Sequence, residues 1–297
     1  MDRSTRVEVV GRLLCLSPSP SEVNDEFPSF QAGNFKERWP NTFRLDCTAL
    51  GQPIGPVTRQ NSWEAYLGRP MEQTVPGTCA LVACTVCVEA VHRLEHTKHH
   101  HGEGTFPCKA RAPYKLLIAC LRDRTWTPGE GAYVGAVLDK MQQLGGAPAT
   151  TTAATPAAPC LLPLRSWQKH SGAGLTPKRV AELIDIHGPC VGVLWVCPWY
   201  HHFDAGRDDE LVYRGCGRSV YDRLRSKALY GDRAGSHAVV CFAYRFCGEQ
   251  MHVLVLDNHG PTGPRRWVDV EELDTIYTLN VERLDPPLHL DDLSLDG

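Results

Sequence analysis

Two stretches of the sequence hold residue types that do chemistry when they meet. In the first, "PMEQTVPGTCALVACTVCVEAV" (Pro70 to Val91), three cysteines occur at 79, 84 and 87, with Gln73 six residues ahead of the first and a Gly77-Thr78 step just before it. The second comprises "HAVVCFAYRF" and "MHVLVLDN", which read as two strands joined by a turn centred on Cys247-Gly248. Opposed residues of an antiparallel pair share a constant index sum, here 495, and His237 with Asn258 satisfies it. An imidazole beside an amide oxygen has a partner for one ring N–H and is free to serve a thiol with its other nitrogen.

Which cysteine that would be depends on the element carrying them. From Cys79 the residues Ala80, Cys84, Cys87, Val88 and Val91 gather on one helical face, and Thr85, Glu89 and His92 on the opposite one. A thiol in the first turn meets unpaired N–H groups and the positive end of the helix dipole, which favour thiolate. Only Cys79 is so placed; Cys84 and Cys87, further along the core face, read as small hydrophobes. A metal at these cysteines would need four converging ligands, and there is no second pair to supply them.

Further helices are expected at Tyr114 to Leu121, over "AYVGAVLDKMQQLGG", and over "LTPKRVAELIDIHG", where Thr176 is the N-cap, Pro177 opens the helix and Gly188 stops it. The low-complexity "GAPATTTAATPAAP" (146–159) reads as a linker. After it, "CVGVLWVC", "HAVVCFAYRF", "MHVLVLD", "RWVDVE" and "YTLNVERL" predict an antiparallel sheet or partial barrel. The expected organisation is an irregular lead-in over 1–60, a helical lobe over 61–159, and a β-rich lobe with an acidic tail over 160–297.

These motifs, in order, resemble the papain-like cysteine proteases. Gln73, Gly77, Cys79 and Glu89 fall where that family has its oxyanion glutamine, the glycine before the nucleophile, the nucleophile, and a glutamate ten residues on. "PGEGAYVGAVL" resembles its Gly-Gly stretch, "LVYRG" the segment before its histidine loop, "SHAVVCFAYR" its histidine strand and "VLDNHGPTGPRRWVDV" its asparagine motif. The resemblance implies an α+β fold of two lobes, one helical and one β-barrel-like, with a cleft between them. It further implies a Cys79–His237–Asn258 mechanism of peptide hydrolysis through a thioester, an oxyanion hole from Gln73 and the Cys79 N–H, and substrate contacts at Gly77, Gly131 and Ser236. Against the family pattern, Ala80 stands where tryptophan is usual. Aligning Asn258-His259-Gly260-Pro261 with the usual Asn-Ser-Trp-Gly also loses the indole that shields the His–Asn bond. A non-catalytic binding module on the same scaffold is therefore the alternative.

Net charge of −3 gives no electrostatic footprint for nucleic acid or anionic membrane. The resemblance implies a polypeptide substrate and cystatin-like inhibitors as partners; no cofactor, no metal, no nucleic acid, no membrane, and a monomeric state are expected. No signal-peptide pattern opens the sequence, so a cytoplasmic or nuclear address is expected, although the resemblance allows a vacuolar or secreted one. The 13 cysteines are an odd number, and mostly free thiols are expected. "HRLEHTKHHHGEG" is a His-rich tract with affinity for zinc or copper, read here as a solvated loop. Trp195, Trp199 and Trp267 read as core or lobe-interface aromatics.

Overall fold

The computed structural model describes residues 55–101, 105–152, 157–197, 200, 211–215 and 217–284. The expected lead-in before 55, Trp199 and the acidic tail lie outside them. In chain order come β1 (Val57–Ser62), α1 (Cys79–His99), β2 (Cys108–Ala110), α2 (Tyr114–Arg122), β3 (Trp126–Thr127), β4 (Gly131–Ala132), α3 (Val134–Gln143), β5 (Ala147–Thr151) and β6 (Pro159–Leu162). There follow β7 (Leu164–Ser171), α4 (Pro177–His187), β8 (Cys190–Val196), β9 (Val212–Tyr213), α5 (Val220–Tyr230), β10 (Gly235–Cys247), β11 (Gln250–Leu256), β12 (Arg265–Asp269) and β13 (Leu273–Val281).

The fold is α+β, with a helical lobe and a β-rich lobe. In the latter the strands run β7-β13-β8-β10-β11-β12-β9, with β1 added to β10, and every pair is antiparallel except β12 with β9. Among the described residues that path is open and does not close into a barrel. Because alternate strand residues face opposite sides, β10 serves two cores. Ala238, Val240 and Phe242 join Ala83, Cys84 and Cys87 of α1, while Val239, Cys241 and Tyr244 join Val180, Leu183 and Ile184 of α4. A sheet clamped between two helices has little freedom to shift the side chains at its strand ends, and His237 is one of these.

Helix α1 is buried on all sides over its first thirteen residues after Cys79. Its polar stripe faces inward and is satisfied there. The Thr85 hydroxyl donates to the Leu81 carbonyl, Glu89 accepts from Arg93 and from the Ala110 N–H, and His92 Nε2 lies 3.0 Å from the Pro163 oxygen. The histidine tract is accordingly not a loop at its start: His92 is core and His96 and His99 lie within the helix.

Two stretches read as irregular are strands. Residues 147–151 of the expected linker form β5, the centre of a three-stranded sheet with β2 and β6, and its residues alternate between buried and half-buried. Alanine and threonine carry too little apolar bulk for that alternation to stand out in sequence. β1, whose residues are almost all exposed, pairs with β10 through its backbone and has no apolar period to betray it. Helix α5 lay in a region read as wholly β. Its Ser219 accepts from the Asp222 N–H, a legible cap, but Val220, Tyr221 and Leu224 are all exposed, so no buried face announces the helix.

Nine cysteines in the described residues are free thiols, and Cys197 is disulfide-bonded. No helix among these residues is long and apolar enough to cross a membrane.

Candidate active site

Cys79 is the first residue of α1, and that helix end has been left uncapped by side chains. The N-cap residue is Thr78, yet its hydroxyl donates to the Val75 carbonyl at 2.6 Å and not to the first turn. The first-turn N–H groups thus remain available to an anion at Cys79. The chain reaches this point through Gly77, whose φ of +75° suits glycine, and a Cβ there would stand 3.3 Å from the Gly131 Cα. From the other side, a Cβ on Gly131 would meet the Gly77 carbonyl oxygen at 3.0 Å, and the Trp126 indole N–H donates to that same oxygen at 2.9 Å. The two glycines expected to meet substrate are therefore packed against each other, and Trp126, which the sequence did not single out, fixes the turn before the thiol.

His237 enters at the start of β10 and is 4% exposed. Its charge and polar contact act on the Cys79 thiol, and its Nε2 lies 2.9 Å from Asp257 Oδ1. With Nε2 on the carboxylate, Nδ1 is the nitrogen left for sulfur. Burial alone would push the His237 pKa down, but the Asp257 charge and hydrogen bond, together with Cys79, raise it to about 10. Burial likewise pushes the Cys79 thiol up, and the His237 hydrogen bond and charge, with the backbone of Ala238 and Ala80, bring it below its ordinary value. Both shifts favour a thiolate–imidazolium pair. On the same helix, burial pushes Cys84 and Cys87 well up, and neither has a cationic partner to offset it.

The partner of the imidazole is Asp257, where Asn258 was expected. The β10–β11 register explains this. Cys247 pairs with Gln250, so Gly248 and Glu249 form the turn and the index sum there is 497; a bulge between Cys241 and Ala243 lowers it to 496, as at Val240 and Leu256. Carried to His237, that sum points to His259, and the two rings do lie side by side at a tilt, with centroids 4.4 Å apart and planes 34° apart. The tetrad to set against Asn-Ser-Trp-Gly is then Asp257-Asn258-His259-Gly260, one residue earlier than the sequence alignment. The His259 ring lies beside that of His237 and reaches the same Asp257 oxygen, and Gly260 follows at φ +113°.

Asn258 has a different task. Its Nδ2 donates to the Cys79 carbonyl at 3.1 Å and reaches the Ala238 carbonyl at 3.4 Å, while its own carbonyl accepts from the Gln73 N–H at 2.8 Å. It ties together the glutamine segment, the helix start and the histidine strand. The Gln73 side chain is half-buried, and its Oε1 has no hydrogen-bond partner among the described residues. Ser236, expected to meet substrate, is exposed beside His237 and pairs with Trp195 across the strands.

Asp257 is completely buried and collects an unusual number of donors. Oδ1 accepts from His237 Nε2, from His259 Nδ1 at 3.0 Å, and from the N–H groups of Asn258 and His259 at 2.7 and 3.2 Å. Oδ2 accepts from Nε of Arg266 at 3.0 Å, itself 2% exposed and lying over the Tyr200 ring. Burial would raise the carboxyl pKa, but His237 and these hydrogen bonds hold it well below the usual range. Asp257, His259 and Arg266 were all missed from sequence. "LDNHG" and "PRRW" offered the residue types, and a one-residue error in register hid their meaning. As for metals, the His237, Asp257 and His259 ligand atoms lie within 4.8 Å of one another, the one group of three such residues among those described.

No family model matches the chain, and no curated protein matches it. Similar solved structures include procathepsin L2 from the larval midgut of Tenebrio molitor, at 14% identity over 74% of this chain and 67% of that one, with a TM-score of 0.48. A structure of the mite allergens Blo t 1 and Der p 1 is similar at 14% identity over 84% and 82%, TM-score 0.49; xylellain, a cysteine protease from Xylella fastidiosa, at 14% over 79% and 91%, TM-score 0.46. These are similarities at low identity.

Proposed function

We propose that this chain is a papain-like cysteine peptidase that hydrolyses peptide bonds through a thioester, with Cys79 as nucleophile, His237 as acid and base, and Asp257 as the group that orients the ring. One observation carries this reading: a thiol at an uncapped helix start, its pKa lowered by a buried histidine whose Nε2 is 2.9 Å from a buried carboxylate.

In the proposed sequence, the Cys79 thiolate attacks the peptide carbonyl carbon and the carbonyl electrons move to oxygen. The Cys79 N–H and the Gln73 side-chain amide stabilise that oxyanion, a donor pair in which losing one member costs on the order of a hundredfold. Collapse of the tetrahedral species breaks the C–N bond, and His237 Nδ1–H gives its proton to the departing amine. Neutral His237 then takes a proton from water as the water attacks the thioester, and the thiolate leaves. Asp257 stays ionised throughout and keeps Nε2 protonated, which leaves Nδ1 to exchange the proton. Arg266 neutralises the buried carboxylate from its far side.

The binding-module alternative draws on the lost indole and on Ala80, 1% exposed; the His259 ring beside His237 speaks against the first of these motives. An epoxide probe directed at thiolates decides between them. Stoichiometric labelling of wild type, absent in Cys79→Ala and accompanied by cleavage of a denatured protein substrate, is expected. Folded wild type that neither labels nor cleaves would overturn the reading.

A further inference from the structure

We propose that His237, Asp257 and His259 form an inhibitory site for a borderline-soft divalent cation, with zinc the ion that fits. The site itself stands on geometry; only its effect on turnover rests on the peptidase reading.

The ligand atoms would be His237 Nε2, Asp257 Oδ1 and His259 Nδ1, all within 4.8 Å of one another. Two imidazoles and one carboxylate are a set zinc accepts, at roughly 2.0–2.2 Å per bond, which puts tetrahedral ligand atoms about 3.3 Å apart. The present separations to Oδ1 are 2.9 and 3.0 Å and need to lengthen by a few tenths of an ångström, while the two ring nitrogens, within 4.8 Å of each other, turn from Oδ1 toward one common point. Entry is from the side of His259, 36% exposed where His237 and Asp257 are nearly or wholly buried; water supplies the fourth ligand. Two backbone N–H groups stay on Oδ1, and Arg266 stays on Oδ2. The carboxylate therefore keeps its orientation, while the Arg266 charge opposes the incoming cation and sets a limit on affinity.

Binding replaces the Nε2–H of the His237 imidazolium by a metal bond and releases that proton to solvent. His259 shifts its proton from Nδ1 to Nε2, with no net loss. Nδ1–H of His237 still faces the Cys79 sulfur, so the thiolate survives. What is lost is the acid step. A metal-bound imidazole that gave up Nδ1–H would become an imidazolate, which is far harder than returning an imidazolium to neutral imidazole. Zinc at this site thus stops turnover and spares alkylation of Cys79, whereas zinc held between Cys79 and His237 would block both.

Equilibrium dialysis of the full chain with zinc alone tests the site without any need for activity. The Cys79→Ala variant should bind one equivalent; Cys79→Ala with His259→Phe, which keeps a ring over His237, should lose it. Cys79→Ala with His96→Ala and His100→Ala should keep it, since the adjacent rings of that tract, 4.3 Å apart, are the competing site. Loss of zinc from Cys79→Ala alone, retention in the His259→Phe background, or loss with the tract would each overturn the proposal. Circular dichroism of each variant confirms the fold, and probe labelling of metal-free wild type reports on the peptidase reading separately.

Discussion

Cys79 and Cys84 are five residues apart on one helix, both packed against the core, and their thiols are driven in opposite directions. Burial raises both. At Cys79 a buried imidazole and an uncapped helix start reverse it; at Cys84 nothing does, and the nearby Cys79 and Cys120 push further up. Reactivity in this helix is therefore set by what each sulfur faces, and burial without a cation makes an inert residue. The same contrast holds for carboxylates. Glu89 in the body of α1 meets one arginine and one backbone N–H, a structural arrangement, while Asp257 gathers two imidazoles, two backbone N–H groups and an arginine.

Breaking the contrast at its reactive end should have the largest effect. Cys79→Ala is expected to lower peptide hydrolysis by about a thousandfold or more and to abolish probe labelling, measured by steady-state kinetics and intact mass. Asp257→Asn keeps the shape but removes the charge that raises His237. We expect a loss of about ten- to a hundredfold in kcat/KM near neutrality, with the alkaline limb moved to lower pH, read from a pH–rate profile.

That profile has a counterpart in stability. Asp257 and Cys79 outweigh burial and raise the folded-state pKa of His237 to about 10, above the ordinary imidazole value of 6.5. Its contribution to stability is fully present below about pH 6.5 and is lost as pH rises toward 10. Chemical denaturation of wild type between those values should show a decline that Asp257→Asn reduces. Asp257 behaves oppositely: its pKa is depressed, so its contribution is present above about pH 4 and fades as pH falls.

A smaller effect is expected at His259. His259→Ala should lose about tenfold in kcat with little change in KM, and His259→Trp should recover part of it by restoring cover over the His237–Asp257 bond. At the inert end, Cys84→Ala should leave the labelling rate of Cys79 unchanged and cost about 1 kcal/mol in a urea melt, the usual scale for trimming a buried group.

Much of this was legible in sequence because it depends on local pattern. The helix from Cys79, the Thr176–Pro177 start of α4 and the strand runs from Cys190 onward all follow apolar periodicity and caps. What was missed follows from pairing. A hairpin turn placed one residue early turned Asp257 and His259 into neighbours of no stated role and promoted Asn258 in their stead. The bulge between Cys241 and Ala243 lies in an unbroken apolar run and leaves no compositional trace. Nor does composition reveal that Arg266, within "GPRRW", turns inward onto Asp257 while Arg265 turns outward to Glu64.

The reactivity proposed for Cys79 depends on His237 and Asp257, and the pH dependence of its alkylation rate reads that dependence without any substrate. Labelling of wild type, followed by mass spectrometry, should stay fast well below the ordinary thiol value of 9.0, and His237→Ala should return the midpoint to that ordinary value or above. If wild type and His237→Ala titrate alike, as ordinary thiols, the account is wrong.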